Sequence, residues 1–338
     1  MNLKEIRQEA KKRFNGICRV CRECNGVACA GEFPGIGGAE SGASFINNYN
    51  ALAALRVKMR IVHAASDPET ALTLLGQKLS MPILGAAVAG AKMNFQEIIS
   101  EEELATAFVT GARQAGTLAM TGDAPDPLIY ATGLRVIRAN EGVGIPITKP
   151  RDQASIIAHF REAEAAGCVA VGVDVDAAGI VPMRAAGQPV EPKTVSQLKE
   201  LVQSTTLPLI LKGIMCVEDA FAAREAGAAA IVVSNHGGRV LDHTPGTAEV
   251  LPQIAQAVRR DMVVLVDGGV RRGVDVLKML ALGAHAVLVG RPLTIGAFGA
   301  GADGVRLTLE QMRDELKVAM IFTGCTNVNK IREDVFWR

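Results

Sequence analysis

LPLILKGIMCVEDAFAAREAGAAAIVVSNH, residues 207–236, is the stretch that decides the fold. An apolar run at Pro208–Lys212 leads through a short turn into an alanine-rich helical segment, Val217–Ala226. Gly227 follows, the residue type that most easily takes the left-handed conformation ending a helix. A second apolar run, Ala230–Ser234, comes next. Strand, helix, strand in so few residues implies two parallel strands joined by a right-handed crossover.

The same unit recurs on both sides. Candidate strands are Pro82–Val88, Thr117–Met120, Val143–Ile147, Val169–Val173, Pro208–Lys212, Ala230–Ser234, Val263–Asp267 and Ala286–Gly290. Candidate helices follow at Glu101–Ala115, Pro127–Ala139, Arg151–Ala166, Thr194–Ser204, Val217–Ala226, Thr247–Arg260, Gly273–Leu282 and Thr308–Phe322. Ser100 with Glu103 forms a capping box at the first of these helices. Gly116, Gly167, Gly227 and Gly283 each stand between a helix and the next strand. Eight such units in residues 81–325 predict an α/β fold, a (β/α)8 TIM barrel rather than an open doubly wound sheet. Residues 1–80 read as an N-terminal, cysteine-containing extension with cap helices packed on the barrel. One helix starts near Asn2, and a second is expected over NNYNALAALRVKMRIV, residues 47–62. Residues 326–338 read as a tail.

Composition narrows the function. Hydrophobic residues make up 49% of 338 and aromatics only 4%, which suits a parallel sheet under helices and argues against disorder. A net charge of +1 with interspersed signs gives no electrostatic case for nucleic acid or an anionic membrane. No apolar run approaches the roughly 20 residues that span a bilayer. A charged N-terminus with no apolar core behind it points to the cytoplasm. There the seven cysteines are not expected to form disulfides.

The chemistry concentrates in SNHGGRVLD, residues 234–242, at the end of an apolar strand and so at the catalytic mouth of a barrel. His236 supplies a base near neutrality and Arg239 a bidentate grip on a carboxylate. Gly237 and Gly238 let the backbone approach a ligand closely. A phosphate site is legible independently. Asp267-Gly268-Gly269-Val270-Arg271 and Gly290-Arg291 follow the seventh and eighth strands, where barrels often hold phosphate. The letters G-x-G-x-x-G at Gly299–Gly304 follow no strand of a βαβ unit and are read as loop composition.

SNHGGRVLD resembles the signature of the FMN-dependent α-hydroxy-acid oxidases and dehydrogenases, the family of glycolate oxidase and flavocytochrome-type lactate dehydrogenases. The resemblance continues through LPLILKGIMCVEDA (207–220) and VLVDGGVRRGVDVLKMLALGAHAVLVGRP (264–292), and fades into ELKVAMIFTGC (315–325). Upstream, GGAESGASFINN and KLSMPILGAAVAG are similar to the family's glycine-rich lead-in and first strand. The resemblance implies FMN as cofactor and oxidation of a small L-2-hydroxy acid to the 2-oxo acid, with an unidentified electron acceptor; an iron–sulfur cluster near the flavin, taking its electrons one at a time, would make the protein a dehydrogenase. It implies His236 as the base, Arg239 as the carboxylate clamp, Lys212 beside the flavin N1–C2 edge, and Asp174 as the hydrogen-bond partner of His236. Ala87, Lys212, Ser234, Asp267, Gly268, Gly269, Arg271, Gly290 and Arg291 are implied to bind FMN. A homo-oligomer is implied as well.

The sequence also departs from the family. Tyrosines are expected around the substrate, yet only Tyr49 and Tyr130 occur and neither aligns. The third strand lacks the expected glutamine and tyrosine, and Gly172 stands where a threonine is expected. A second substrate arginine has only Arg184 as a candidate. Two other readings therefore stand beside the first: a flavin barrel of another reaction class, such as type 2 isopentenyl diphosphate isomerase, and a non-catalytic flavin- or metal-binding protein.

The resemblance says nothing of Cys18-x2-Cys21-x2-Cys24-x4-Cys29. Four thiolates at this density suit a [4Fe–4S] cluster or a tetrahedral zinc if the chain turns tightly enough to bring them together.

Overall fold

The computed structural model describes residues 1–337. Its strands in chain order are β1 (Leu72–Leu74), β2 (Gln77–Leu79), β3 (Ile83–Gly85), β4 (Met120–Thr121), β5 (Ile145–Thr148), β6 (Val171–Asp174), β7 (Leu209–Ile214), β8 (Ala230–Val233), β9 (Val263–Val266) and β10 (Ala286–Val289). The pair β1–β2 is an antiparallel hairpin just before β3. The other eight pair in parallel in the order β3-β10-β9-β8-β7-β6-β5-β4. A parallel bridge between Gly85 and Ala119 joins the two ends and closes the barrel. Nearly every residue of β3–β10 is buried, because the barrel interior covers one face and the helices cover the other. All eight strands expected from the sequence are present, most with tighter bounds.

The described residues form twelve α-helices: α1 (Leu3–Phe14), α2 (Ala43–Ala54), α3 (Ala91–Phe95), α4 (Glu101–Gln114), α5 (Pro127–Ala139), α6 (Gln153–Ala165), α7 (Val181–Ala185), α8 (Val195–Gln203), α9 (Val217–Ala226), α10 (Thr247–Val258), α11 (Gly273–Ala281) and α12 (Arg291–Thr323). Ser100 and Glu103 form the capping box of α4, and Asn2 with Glu5 forms that of α1. Ile6, Ala10 and Phe14 lie four residues apart on one face of α1, and all three are buried. Phe14 stacks on Phe298 with ring centroids 4.0 Å apart, which fastens the N-terminal helix to α12. None of the described helices is long and apolar enough to cross a membrane.

Two local readings need correction. The helix expected over 47–62 ends at Ala54. Beyond it, Lys58 N–H donates to Val335 O and Trp337 N–H to Arg56 O, so the segment follows the C-terminal residues instead of coiling. Pairing with a distant strand-like partner overrides local propensity. The glycines of 299–304 lie where α12 kinks, at Ala300 and Gly301. A Cβ on Gly299 would stand 2.3 Å from Ile6 O, and one on Gly304 2.0 Å from Gly296 O. They serve close helix packing.

Candidate active site

One cavity opens at the C-terminal ends of the strands, and each strand or the loop after it contributes to its wall. Ala86 and Ala87 follow β3, Asp123 follows β4, and Lys149 follows β5. Asp174 ends β6, Lys212 lies in β7, and His236 and Arg239 follow β8. Asp267, Gly268, Gly269 and Arg271 follow β9, and Gly290 and Arg291 follow β10. Ser234 lies behind this wall: its hydroxyl donates to Asp267 Oδ1 at 2.7 Å and accepts from His236 N at 3.0 Å. Ser234, expected at the cofactor, thus has its hydroxyl engaged by these two neighbours. It orders two residues that do line the cavity.

The partner expected for His236 is also different. Parallel pairing places Asp174 directly opposite Lys212 on β7. Lys212 Nζ donates to Asp174 Oδ1 at 2.8 Å, and Lys149 Nζ to Asp174 Oδ2 at 2.7 Å. Both carboxylate oxygens are thus engaged by ammonium groups. His236 Nδ1 instead meets Asp176, at 3.0 and 3.1 Å from its two oxygens. A 3-10 turn over Val175–Gly179 brings Asp176 round to the imidazole. Lys212 Nζ is also 3.4 Å from His236 Nδ1, but the shorter carboxylate contact decides the tautomer. Nδ1 carries the proton, and Nε2 keeps its lone pair.

Gly213 makes that geometry possible. It sits at φ +108°, where the β7–β8 register shifts between Lys212 and Ile214. A Cβ there would come within 2.4 Å of Asp176. Gly213→Ala should push Asp176 off the imidazole and slow substrate oxidation by about 10²-fold, the scale of a 1 Å misplacement. Rapid-mixing measurement of the rate, with cofactor content as control, checks this; an unchanged rate refutes the positioning role.

Charge in the cavity is arranged in pairs. Burial alone would raise the Asp174 pKa, but the charges of Lys149 and Lys212 outweigh it and hold the carboxyl well below its usual range. Burial would lower the Lys212 pKa, but the Asp174 charge outweighs that and keeps the ammonium protonated. Burial first, then the Lys212 charge, lowers the His236 pKa below 6.5, leaving a neutral imidazole at pH 7. His236 itself is held at φ 58°, an uncommon conformation for a non-glycine residue and typical of functional sites. Asp174, Asp176 and His236 also lie close enough together to suggest a cation site. The two ammonium groups on Asp174 already supply the positive charge there.

Among the described residues, Arg239 has no carboxylate partner. Its Nη2 donates to Asn94 Oδ1 at 2.8 Å, and its guanidinium lies 4.8 Å from the Phe33 ring centre. Burial and the Arg291 charge lower its pKa to about 9, so an anion entering the cavity would relieve an uncompensated cation. Arg184 is exposed and outside the cavity wall. The additional cation that sequence reading missed is Lys149. Nothing in its segment, ITKPRD, marked it apart from surface lysines.

The residues expected at the phosphate divide their work. Arg291 donates to the carbonyls of Ile36, Gly237 and Gly37 at 2.8, 3.0 and 3.1 Å and lies 3.7 Å from the centre of the Phe45 ring. It stitches the glycine-rich lead-in to the loop after β8. Arg271 donates to Cys24 O and Val270 O, while its Nη2 is buried without a partner. An orphaned guanidinium nitrogen beside Gly268, Gly269 and Gly290 is what a phosphate oxygen would satisfy. The donor set fits FMN.

Neither tyrosine lines the cavity. Tyr49 donates to Glu23 on the surface. Tyr130 is buried, stacked 3.9 Å from the His159 ring. The apolar wall comes from Phe33, Ile36, Met93, Ile180 and Met183.

The cysteine segment abuts this site. Burial pushes the Cys18 thiol up to about 11 and raises that of Cys29. The four thiols do not converge on one point. Among the described residues, Asp174, Asp176 and His236 are the only three metal-capable groups whose ligand atoms lie within 4.8 Å of one another. Thiolates around one zinc, with bonds of about 2.3 Å, stand only about 3.8 Å apart. The four sulfurs are thus not already gathered at a single-ion position.

Comparison with known proteins agrees with the geometry. Residues 36–185 and 183–338 match the FMN-dependent dehydrogenase profile. Glycolate oxidase 5 of Oryza sativa subsp. japonica is 34% identical over 334 residues, covering 87% of each chain. The 4-hydroxymandelate oxidase of Amycolatopsis orientalis is 35% identical over 336 residues, covering 88% of this chain and 90% of that one. A solved structure of mandelate oxidase with (S)-2-phenylpropionate superposes with a TM-score of 0.77 at 34% identity, over 98% of this chain and 96% of the other. A mandelate oxidase mutant with the monooxide FMN adduct gives 0.73 at 36% identity, over 90% and 96%. From the closed barrel, the cavity at its mouth and these matches along nearly the whole chain, it follows that the protein belongs to the FMN-dependent dehydrogenase family.

Proposed function

We propose that the protein oxidises an L-2-hydroxy acid to the 2-oxo acid with FMN, and that it passes the electrons to an acceptor other than oxygen. The observation that carries the reading is the pairing, in one cavity, of a neutral His236 oriented by Asp176 with an Arg239 that lacks a counter-charge. Bound FMN supplies the acceptor for the hydride leaving the α-carbon. Arg239 holds the substrate carboxylate. His236 Nε2 takes the hydroxyl proton, and the imidazolium formed is stabilised by the Asp176 carboxylate. Lys212, fixed by Asp174, provides a preorganised positive charge in the cavity wall.

The apolar wall at Phe33, Met93, Ile180 and Met183 favours a 2-hydroxy acid with a hydrocarbon side chain over glycolate. A cytoplasmic homo-oligomer is part of the same reading, supported only by family resemblance and the seven free thiols.

The test is anaerobic addition of L-lactate, glycolate and longer 2-hydroxy acids to the purified yellow protein. Bleaching of the flavin band, fastest with the longer acids, is expected. A flavin that none of them bleaches sinks the reading. The pH dependence has a definite sign. A base must be unprotonated, and the His236 pKa lies below 6.5. The rate of flavin bleaching should therefore be flat around neutrality and fall tenfold per pH unit once the medium drops below that pKa. Stopped-flow rates across about pH 4.5 to 9 check this; a rate that rises on acidification rejects His236 as the base.

A further inference from the structure

The four-cysteine segment is the one motif the proposed reaction leaves unused, and its surroundings are built. Val20, a β-branched residue between Cys18 and Cys21, is held at φ 47°. A side chain of that shape rarely tolerates this conformation. The result is a turn whose Val20 N–H donates to Cys18 Sγ at 3.4 Å. Arg7 Nη2 fixes the turn from outside through the carbonyls of Cys21, at 2.7 Å, and Val20, at 3.4 Å. On the other side, Arg271 Nε donates to Cys24 O at 3.0 Å. Arg271 is the residue whose Nη2 is buried without a partner in the wall of the first cavity. The segment is thus tied directly to the flavin cradle.

Position adds an independent argument. Cys21 and Cys24 line a second cavity, open to solvent, whose wall also includes Gly269 and Arg271. Those two residues line the first cavity as well. Cys21 and Cys24 therefore stand between the flavin site and the surface. No three of the sulfurs lie within 4.8 Å of one another, so they are not gathered around a single-ion position. In a multi-iron cluster each thiolate has its own iron, so the sulfurs stand further apart than around a single metal. The arginines nearby suit the negative charge of a thiolate-bound cluster.

We propose that Cys18, Cys21, Cys24 and Cys29 ligate a [4Fe–4S] cluster beside the FMN phosphate site. Its redox role rests on the hydroxy-acid reading. Oxidation of one acid releases two electrons and two protons. The electrons leave through the cluster one at a time, and two molecules of a one-electron carrier are reduced.

The experiment is metal, acid-labile sulfide and FMN analysis of the full chain purified without oxygen. About four iron and four sulfide per chain are expected, with a visible absorption beneath the flavin bands that dithionite bleaches and a low-temperature EPR signal after reduction. Cys21→Ser should lose iron and sulfide together while FMN stays bound, and Cys168→Ser, remote from the motif, should keep all three. Zinc alone, iron without sulfide, disulfides within the motif, or a metal-free protein with seven titratable thiols overturns the proposal, and so does Cys21→Ser protein that keeps its iron and sulfide. If Cys21→Ser does not fold, the wild-type analysis alone still decides. Iron and sulfide in a protein whose flavin no hydroxy acid bleaches would sink the proposed substrate and leave the cluster standing.

Discussion

His236→Ala is expected to keep its FMN and to be reduced by a 2-hydroxy acid about 10²- to 10⁴-fold more slowly than the wild type, the usual contribution of a positioned general base. The side chain lines the cavity but provides none of the buried contacts around Arg271 and the glycine loops that fit the phosphate. Cofactor content and reactivity should therefore separate. Asp176→Asn should follow the same pattern for a different reason. An amide can present its NH2 to Nδ1, which stabilises the wrong tautomer and moves the imidazole proton to Nε2, where the base must be free. A His236→Ala protein reduced at the wild-type rate would show that the proton is taken elsewhere.

Asp174→Ala should act on stability first. It is 2% exposed, with Lys149 at 7% and Lys212 at 3%. Removing the carboxylate leaves two buried ammonium groups without a counter-charge, a loss of about 3–5 kcal/mol by the usual cost of breaking a buried pair. Urea unfolding at a fixed FMN concentration measures it. Asp176→Asn removes only the imidazole contact and should unfold near the wild-type midpoint. The two acids, two residues apart, thus differ in kind: one loses the fold and the other the rate. Equal unfolding midpoints for Asp174→Ala and wild type would contradict the assignment.

The order of strands and helices was legible because hydrophobic periodicity and glycine punctuation are local. Each unit such as 207–236 carries its own pattern, and eight in succession leave few topologies. His236, Arg239, Lys212 and the glycine loops after β9 and β10 were legible because each sits at the end of a strand, a position fixed by the repeat. Which residue answers to which was not. Asp174 and Asp176 are both acids at the end of β6, and their sequence spacing does not distinguish them. Parallel register sets Asp174 against Lys212, while the turn after it and the bare backbone of Gly213 bring Asp176 to the histidine. Lys149 was invisible because its importance lies in burial against a carboxylate 25 residues away.

Periodicity along the chain encodes the barrel, the mouth at which chemistry occurs and the residue types gathered there. Tertiary structure alone decided the pairings: Asp176 with His236, two lysines on Asp174, Arg291 bound to backbone carbonyls, Arg271 left with a free nitrogen. Hydrogen bonds and ion pairs depend on angles and distances of a few ångströms between strands far apart in sequence, and no local pattern encodes those.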